Sequence, residues 1–413
     1  MTAELSASRL DHLSLVAERP ERPLDFAALL TLGPSAPSAD ALRAGAASAY
    51  RTFPRTSARI DGDRWTPVEP PVPRVEGHPP PAELHARVEA AVEAPIDPRY
   101  AAPLEEIIYQ SQERTALLVR CHHAAADLTS LLWWVDHQLR TARGEAPAPE
   151  QARQRSPLAL RQHDHPRRKN HFAFWGPSRP LWRRREAPSR SRRFLSLDVD
   201  AARIRAKIGP RSARGFSYND LLAASALLAA REFQREHGAP ASKLSLWFPV
   251  DVRAEPFSGF GNGASRVRVY DRAPPSASAT DLAFLVREEL EAARAEGEWY
   301  VPADHALFSL SDWVIRAYLT RPWVDMGSLL FSHAERLSAG AAPLLEGVTR
   351  VEGVATLDRR HPLGIGAFTL RGTTHLSFTW DPAQLDEVDA ARMVELFAAT
   401  LQRAEDQLPP CAA

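Results

Sequence analysis

The stretch Thr115-Ala116-Leu117-Leu118-Val119-Arg120-Cys121-His122-His123-Ala124-Ala125-Ala126-Asp127-Leu128 decides how this 413-residue chain is read. Its first seven residues form an apolar run of strand length, and Leu131-Leu132-Trp133-Trp134-Val135 follows as the start of a helix reaching Arg140. Asp127, Thr129 and Ser130 are each able to cap that helix. A histidine pair with an aspartate four residues on, at a strand-to-helix junction, offers a base that titrates near neutrality and a charge that fixes the local backbone. That combination suits acyl transfer. Cys121 beside the pair reads as a small buried strand residue rather than a nucleophile.

Working outward, Asp11 to Leu15 opens the ordered region, Leu24 to Leu32 reads as a strand and Ala39 to Tyr50 as a helix. Asp61-Gly62-Asp63 between Thr56–Ile60 and Arg64-Trp65 predicts a hairpin. Val68 to Pro81 is proline-dense and predicts an extended connector, Glu83 to Val92 a helix, and Leu104 to Tyr109 with Thr115 to Cys121 an antiparallel pair. Thr141 to Arg193, rich in Pro, Arg and His, reads as a crossover between halves. Beyond it come a strand at Phe194–Val199, a helix at Leu221–His237 and a strand at Lys243–Val250. A helix at Asp281–Glu296 precedes strands at Val351–Leu357, Pro362–Leu370 and Thr373–Trp380, and a closing helix spans Leu385–Gln407. No short internal repeat is visible.

The bulk properties exclude several classes. A chain of this length supports two domains. Formal net charge is zero, so no global basic field recruits nucleic acid. Cysteines number two, too few for a disulfide framework and consistent with a reducing cytoplasm. The N-terminus lacks the basic start and apolar core of a signal peptide, and no apolar run is long enough to span a bilayer. Cytoplasmic localisation and a monomer are the expectations. His163-Asp164-His165 has no further ligand at useful spacing, so no metal site is expected. Arg167-Arg168-Lys169 and Arg183-Arg184-Arg185 read as a solvated linker face rather than a phosphate holder. Gly259-Phe260-Gly261-Asn262-Gly263 lacks the dinucleotide spacing, and neither a GxSxG elbow nor a P-loop occurs.

Several segments together resemble the CoA-dependent acyltransferase superfamily, which includes nonribosomal peptide synthetase condensation domains, chloramphenicol acetyltransferase, polyketide-associated acyltransferases and wax ester synthases. The shared HHxxxDG motif stands here as His122-His123-Ala124-Ala125-Ala126-Asp127, with Leu128 in place of glycine. Tyr218-Asn219-Asp220-Leu221 looks like the family's ND-plus-helix segment, and Phe248-Pro249-Val250-Asp251-Val252-Arg253 like its PVxxR strand. Gly261-Asn262 looks like its GN turn, Ser377-Phe378-Thr379-Trp380-Asp381 like a late strand, and Ser332 falls near a latch segment. The resemblance covers roughly Leu10 to the C-terminus.

The resemblance implies an α/β fold of two chloramphenicol-acetyltransferase-like lobes, residues 1–180 and 181–413, set as a V with a central tunnel. It makes His123 the base and Arg253 the partner of Asp127, and it gives His122 a packing or backbone-bonding role. Leu128, Asn262 and Ser332 become candidates for the tunnel wall. The donor would be an acyl-CoA or an acyl-phosphopantetheine on an acyl or peptidyl carrier protein. The acceptor would be a hydroxyl or amine, and no cofactor would be permanently bound. Two readings stand beside this one: a non-catalytic scaffold that binds a carrier protein or tailoring enzyme, and a wax ester or acylglycerol synthase. Leu128 bears on the choice in two ways. Where the glycine's freedom at positive φ is needed, leucine costs about 1–2 kcal/mol. Where its small size is needed, leucine narrows the acceptor site.

Overall fold

In the computed structural model, described for residues 5–146, 158–159, 178–209, 214–254, 259–295, 311–319, 327–334, 345–357 and 361–408, the chain is a mixed α/β protein. The first half runs β1 Leu5–Ser6, α1 Arg9–Ala17, β2 Asp25–Leu32, α2 Ala39–Thr52, β3 Ala58–Asp61, β4 Arg64–Pro67, β5 Arg74–Gly77, α3 Pro81–Glu93, β6 Leu104–Gln110, β7 Thr115–His122 and α4 Leu128–Ala142. The second runs β8 Arg193–Asp200, α5 Ala201–Ile208, α6 Tyr218–Glu236, β9 Ser245–Asp251, β10 Ala264–Tyr270, α7 Ala279–Ala295, α8 Asp312–Leu319, β11 Leu329–Ala334, β12 Val348–Val354, β13 Leu363–Leu370, β14 Thr373–Trp380 and α9 Glu387–Gln407.

Among the described residues these strands form three sheets. A five-stranded sheet has the order β12-β2-β7-β6-β5, a six-stranded sheet the order β10-β9-β11-β13-β14-β8, and β1-β4-β3 make a small third one. The strand β7 lies at the centre of the first sheet and is buried along its whole length, which is why it reads as an unbroken apolar run. Its antiparallel pairing with β2 sets Asp25 opposite His122, so the ladder stops there and His123 leaves the sheet. The helices α2 and α4 cover one face. Gly45 lets them touch, since a Cβ at that position would sit 2.4 Å from the Gln138 carbonyl oxygen. The helix α3 covers the other face through Leu84, Val88 and Val92. The second sheet packs its own apolar face against α6, α7 and α9.

The halves exchange a strand. The segment β12 arises between β11 and β13 in the chain but pairs antiparallel with β2, so the second half supplies the edge of the first half's sheet. Buried ion pairs add to the join. Arg22 reaches Asp381 at 2.6 Å and Arg192 reaches Asp25 at 3.0 Å, while Arg120 holds the same Asp25 from within the first half at 3.1 Å.

Three expectations need correction. The Val68–Pro81 connector contains β5, which pairs parallel with β6 at the sheet edge, where a proline-flanked strand is tolerated. Lys243 lies outside its expected strand; it adopts φ 63°, a turn conformation, and β9 begins at Ser245. The strand expected at Val351–Leu357 starts earlier and ends at Val354, because the Ala355 amide turns away to the Thr379 hydroxyl at 3.0 Å. His163-Asp164-His165 and Arg167-Arg168-Lys169 lie outside the described residues.

Candidate active site

The turn after β7 is held from both sides. The His123 amide donates to the Leu24 carbonyl at 2.9 Å. His122 is fully buried; its Nδ1 accepts from the Ala124 amide at 3.0 Å, which leaves Nε2 to donate to Glu18 at 3.3 Å. His122 therefore fixes the backbone that presents its neighbour. Asp127 caps α4, accepting from the Ser130 amide at 2.9 Å.

The same carboxylate meets Arg253, just beyond β9. Arg253 Nη2 donates to Asp127 Oδ1 at 2.9 Å and Oδ2 at 2.8 Å, and the Gly263 amide donates to Oδ2 at 2.9 Å. The pair is buried, its side chains 1% and 5% exposed. Arg253 also donates to Asp251 at 3.0 Å, to the Ser130 hydroxyl at 2.8 Å and to the Gly259 carbonyl at 3.1 Å. Its guanidinium stands over the Trp133 ring, 5.1 Å from the centroid. Gly263 makes room for it, since a Cβ there would come within 2.7 Å of the guanidinium carbon. Asp127 makes no hydrogen bond to His123, so it is a brace between the two halves and not a triad acid.

His123 lies against Phe26, ring centroids 4.4 Å apart, and its side chain borders a cavity of about 280 Å³. Among the described residues neither ring nitrogen has a hydrogen-bond partner, so a reactant in the cavity can use one. Burial pushes the imidazole down to about 3, with the positive charge of Arg266 adding to the effect and the carboxylates of Asp127 and Asp25 opposing it. The ring is therefore neutral across the physiological range. Cys121 is buried, and burial, with the charges of Asp127 and Asp25, raises its thiol well above the ordinary value; it carries no thiolate.

The cavity wall contains the other residues singled out in the sequence. Leu128, Asn262 and Ser332 all border it. Asn262 donates to the Ser14 hydroxyl at 3.3 Å. Leu128 is the first residue of α4 and is not among the residues at positive φ, so backbone strain drops out of its account; its side chain takes up space that glycine would leave open.

Solved structures share this arrangement of elements. The first condensation domain of the calcium-dependent antibiotic synthetase, in complex with a substrate analogue, superposes with a TM-score of 0.72 at 14% identity, over 100% of this chain and 98% of that one. The X-domain from teicoplanin biosynthesis gives 0.63 at 16% over 99% and 97%, and it has also been solved in complex with OxyB. The wax ester synthase/diacylglycerol acyltransferase from Marinobacter aquaeolei VT8 gives 0.60 at 16% over 98% and 99%. The fold is that of the condensation-domain-like CoA-dependent acyltransferases. No family model matches the chain, and no curated protein matches it by sequence.

Within this condensation-domain fold the cavity has features that no sequence motif marks. His333 on β11 borders it, with Nδ1 3.0 Å from Asn219 Oδ1 and Nε2 2.8 Å from the Thr369 hydroxyl. Burial, with a smaller contribution from Arg205, pushes His333 down to about 3. Arg266, Ser265 and Trp247 form another part of the wall. Their one signal in the sequence is the alternation Ser265-Arg266-Val267-Arg268-Val269, which marks a strand but says nothing of what it faces. Among the described residues no cluster of three or more His, Cys, Asp or Glu is placed to hold a metal, and no helix is long and apolar enough to cross a membrane.

Proposed function

We propose that the chain is an acyltransferase that moves an acyl group from a CoA or carrier-protein thioester to the hydroxyl or amine of a small acceptor. The observation that carries this reading is the position of His123, whose unpartnered ring edge borders a cavity while the Asp127–Arg253 pair holds the turn behind it. Residues 1–180 and 181–413 act as the two lobes of a V, and the reactants reach His123 along a tunnel between them. The acceptor attacks the thioester carbonyl while His123 takes its proton. The C–S bond then breaks and the thiolate leaves with that proton. A base so placed contributes roughly a hundred- to ten-thousand-fold. Its neutral state leaves a ring nitrogen lone pair available, and the apolar wall keeps water from the thioester. The fit of the whole chain to a condensation domain bound to a substrate analogue supports the reading.

The test pairs the wild type with His123→Ala against a panel of acyl thioesters and hydroxyl or amine acceptors. Transfer by the wild type and its loss in the variant are expected; equal turnover by both forms removes the mechanism. A scaffold that docks a carrier protein or tailoring enzyme is the second reading. It is favoured by the space that Leu128 takes from the cavity and by the likeness to an X-domain solved with OxyB.

A further inference from the structure

The helix α1 ends beside the turn that carries His123 and reaches it with one carboxylate. Glu18 closes the helix, its amide donating to the Ser14 carbonyl at 3.2 Å, and its side chain is 12% exposed. The two carboxylate oxygens divide their partners. Oε1 faces His122 Nε2 at 3.3 Å, and Oε2 accepts from Arg99 Nη2 at 3.4 Å. Arg99 is held in turn by Asp97, through Nε at 2.7 Å and Nη2 at 2.8 Å. The helix that brings Glu18 here is fixed along its length. Asp11 takes an ion pair from the buried Arg55 at 2.8 Å and the Trp65 indole N–H at 3.2 Å. Ser14 accepts from Asn262 at 3.3 Å, and Val16 packs against Ile315.

The geometry points to Glu18 as a positioning residue for the acyl transfer proposed above, on which this inference rests: it holds the His122 imidazole in one tautomer and thereby sets the turn that aims His123 into the cavity. A backbone amide has one hydrogen and can only donate. The Ala124 amide, 3.0 Å from His122 Nδ1, therefore requires a lone pair on that nitrogen. The one proton of the neutral ring is then on Nε2, and among the described residues Glu18 is its acceptor. A carboxylate makes that bond charge-assisted and stronger than one to a neutral oxygen. Without it, an N–H of a fully buried ring has no partner. The ring then takes the other tautomer, which sets two N–H groups against each other, or it swings away. In both cases the Ala124 amide loses its acceptor. The turn affected is the one closed by the Ala125 amide on the His122 carbonyl at 2.9 Å, and His123 lies inside it. The His123 ring rests on Phe26 at 4.4 Å with no side-chain hydrogen bond among the described residues, so the backbone alone directs its edge. A misplacement of about 1 Å at a reacting group costs on the order of a hundredfold in rate.

Imidazole NMR and turnover are measured on the full chain as wild type, Glu18→Gln and Glu18→Ala, with the thioester and acceptor that the panel above identifies. In the wild type the His122 ring should carry its proton on Nε2. Glu18→Gln still offers an oxygen to that N–H, so it should keep the tautomer, the His123 resonances and a kcat within about threefold. Glu18→Ala should lose the tautomer, move the His123 resonances and lower kcat about ten- to a hundredfold, with KM within about twofold. Glu18→Met, which fills the space without an acceptor, should behave as Glu18→Ala and replaces it if that variant does not fold. A wild-type His122 protonated on Nδ1 overturns the inference. So do His123 resonances that stay in place when the acceptor is removed, equal impairment of Glu18→Gln and Glu18→Ala, or a loss that falls on KM. Transfer at an unchanged kcat in Glu18→Ala overturns this inference alone. If the wild type transfers no acyl group while the His123 resonances move in Glu18→Ala and not in Glu18→Gln, the acyl-transfer reading falls and the positioning of His123 by Glu18 stands.

Discussion

Arg253 Nη2 reaches both carboxylate oxygens of Asp127, at 2.9 and 2.8 Å, and no hydrogen bond joins that carboxylate to His123. The consequence is structural. Asp127→Ala strands a buried guanidinium and removes the cap of α4, so it should cost about 3–5 kcal/mol in urea unfolding. Asp127→Asn keeps an oxygen for the Ser130 amide and should cost less. Pairing it with Arg253→Met should recover part of the loss, because no lone charge is then buried. A loss under about 1 kcal/mol for Asp127→Ala would show that the pair is not a brace.

Leu128 narrows the cavity without straining the backbone. Leu128→Gly should therefore enlarge the acceptor range, raising kcat/KM for bulkier hydroxyl or amine acceptors. It should cost stability of only about 1 kcal/mol, the helix-propensity difference. An unchanged acceptor profile across a size series would remove Leu128 as a specificity element.

What could be read in the sequence follows from how local each signal is. The β7–turn–α4 unit was legible because an apolar run, a histidine pair, a capping carboxylate and a second apolar run fall within 30 residues. Arg253 was legible only through its resemblance to a known motif, since 126 positions separate it from Asp127. The crossing of β12 was not legible: Val348–Val354 looks like any half-buried strand, and its partner β2 is chosen by tertiary packing. Arg266 and His333 were missed for a related reason. One arginine or histidine on a strand has no periodicity to betray it, and its meaning comes from the cavity it borders.

His333 should tie stability to pH. Its ordinary value is 6.5, and burial with Arg205 holds it near 3 in the folded chain. Above pH 6.5 both folded and unfolded chains leave it neutral, and the contribution is fully present. As pH falls below 6.5 the unfolded chain binds a proton that the folded chain refuses, so stability drops until about pH 3. At about 1.4 kcal/mol per pH unit, the loss reaches about 3.5 kcal/mol by about pH 4. His333→Gln, with no titrating group, should show a shallower fall over that window in urea melts taken at successive pH values. Parallel curves for the two proteins would remove this residue as the cause.

The rate should report the same physics at His123. In the free protein its imidazole is held near 3 by burial and by Arg266, so the acid limb of kcat/KM should lie well below the 6.5 of an ordinary histidine. The acid limb of kcat should be low as well. Arg266→Gln removes a positive charge that holds the imidazole down, so both limbs should move upward. An acid limb near 6.5 for kcat/KM would mean that solvent reaches His123 freely and that burial does not set its charge.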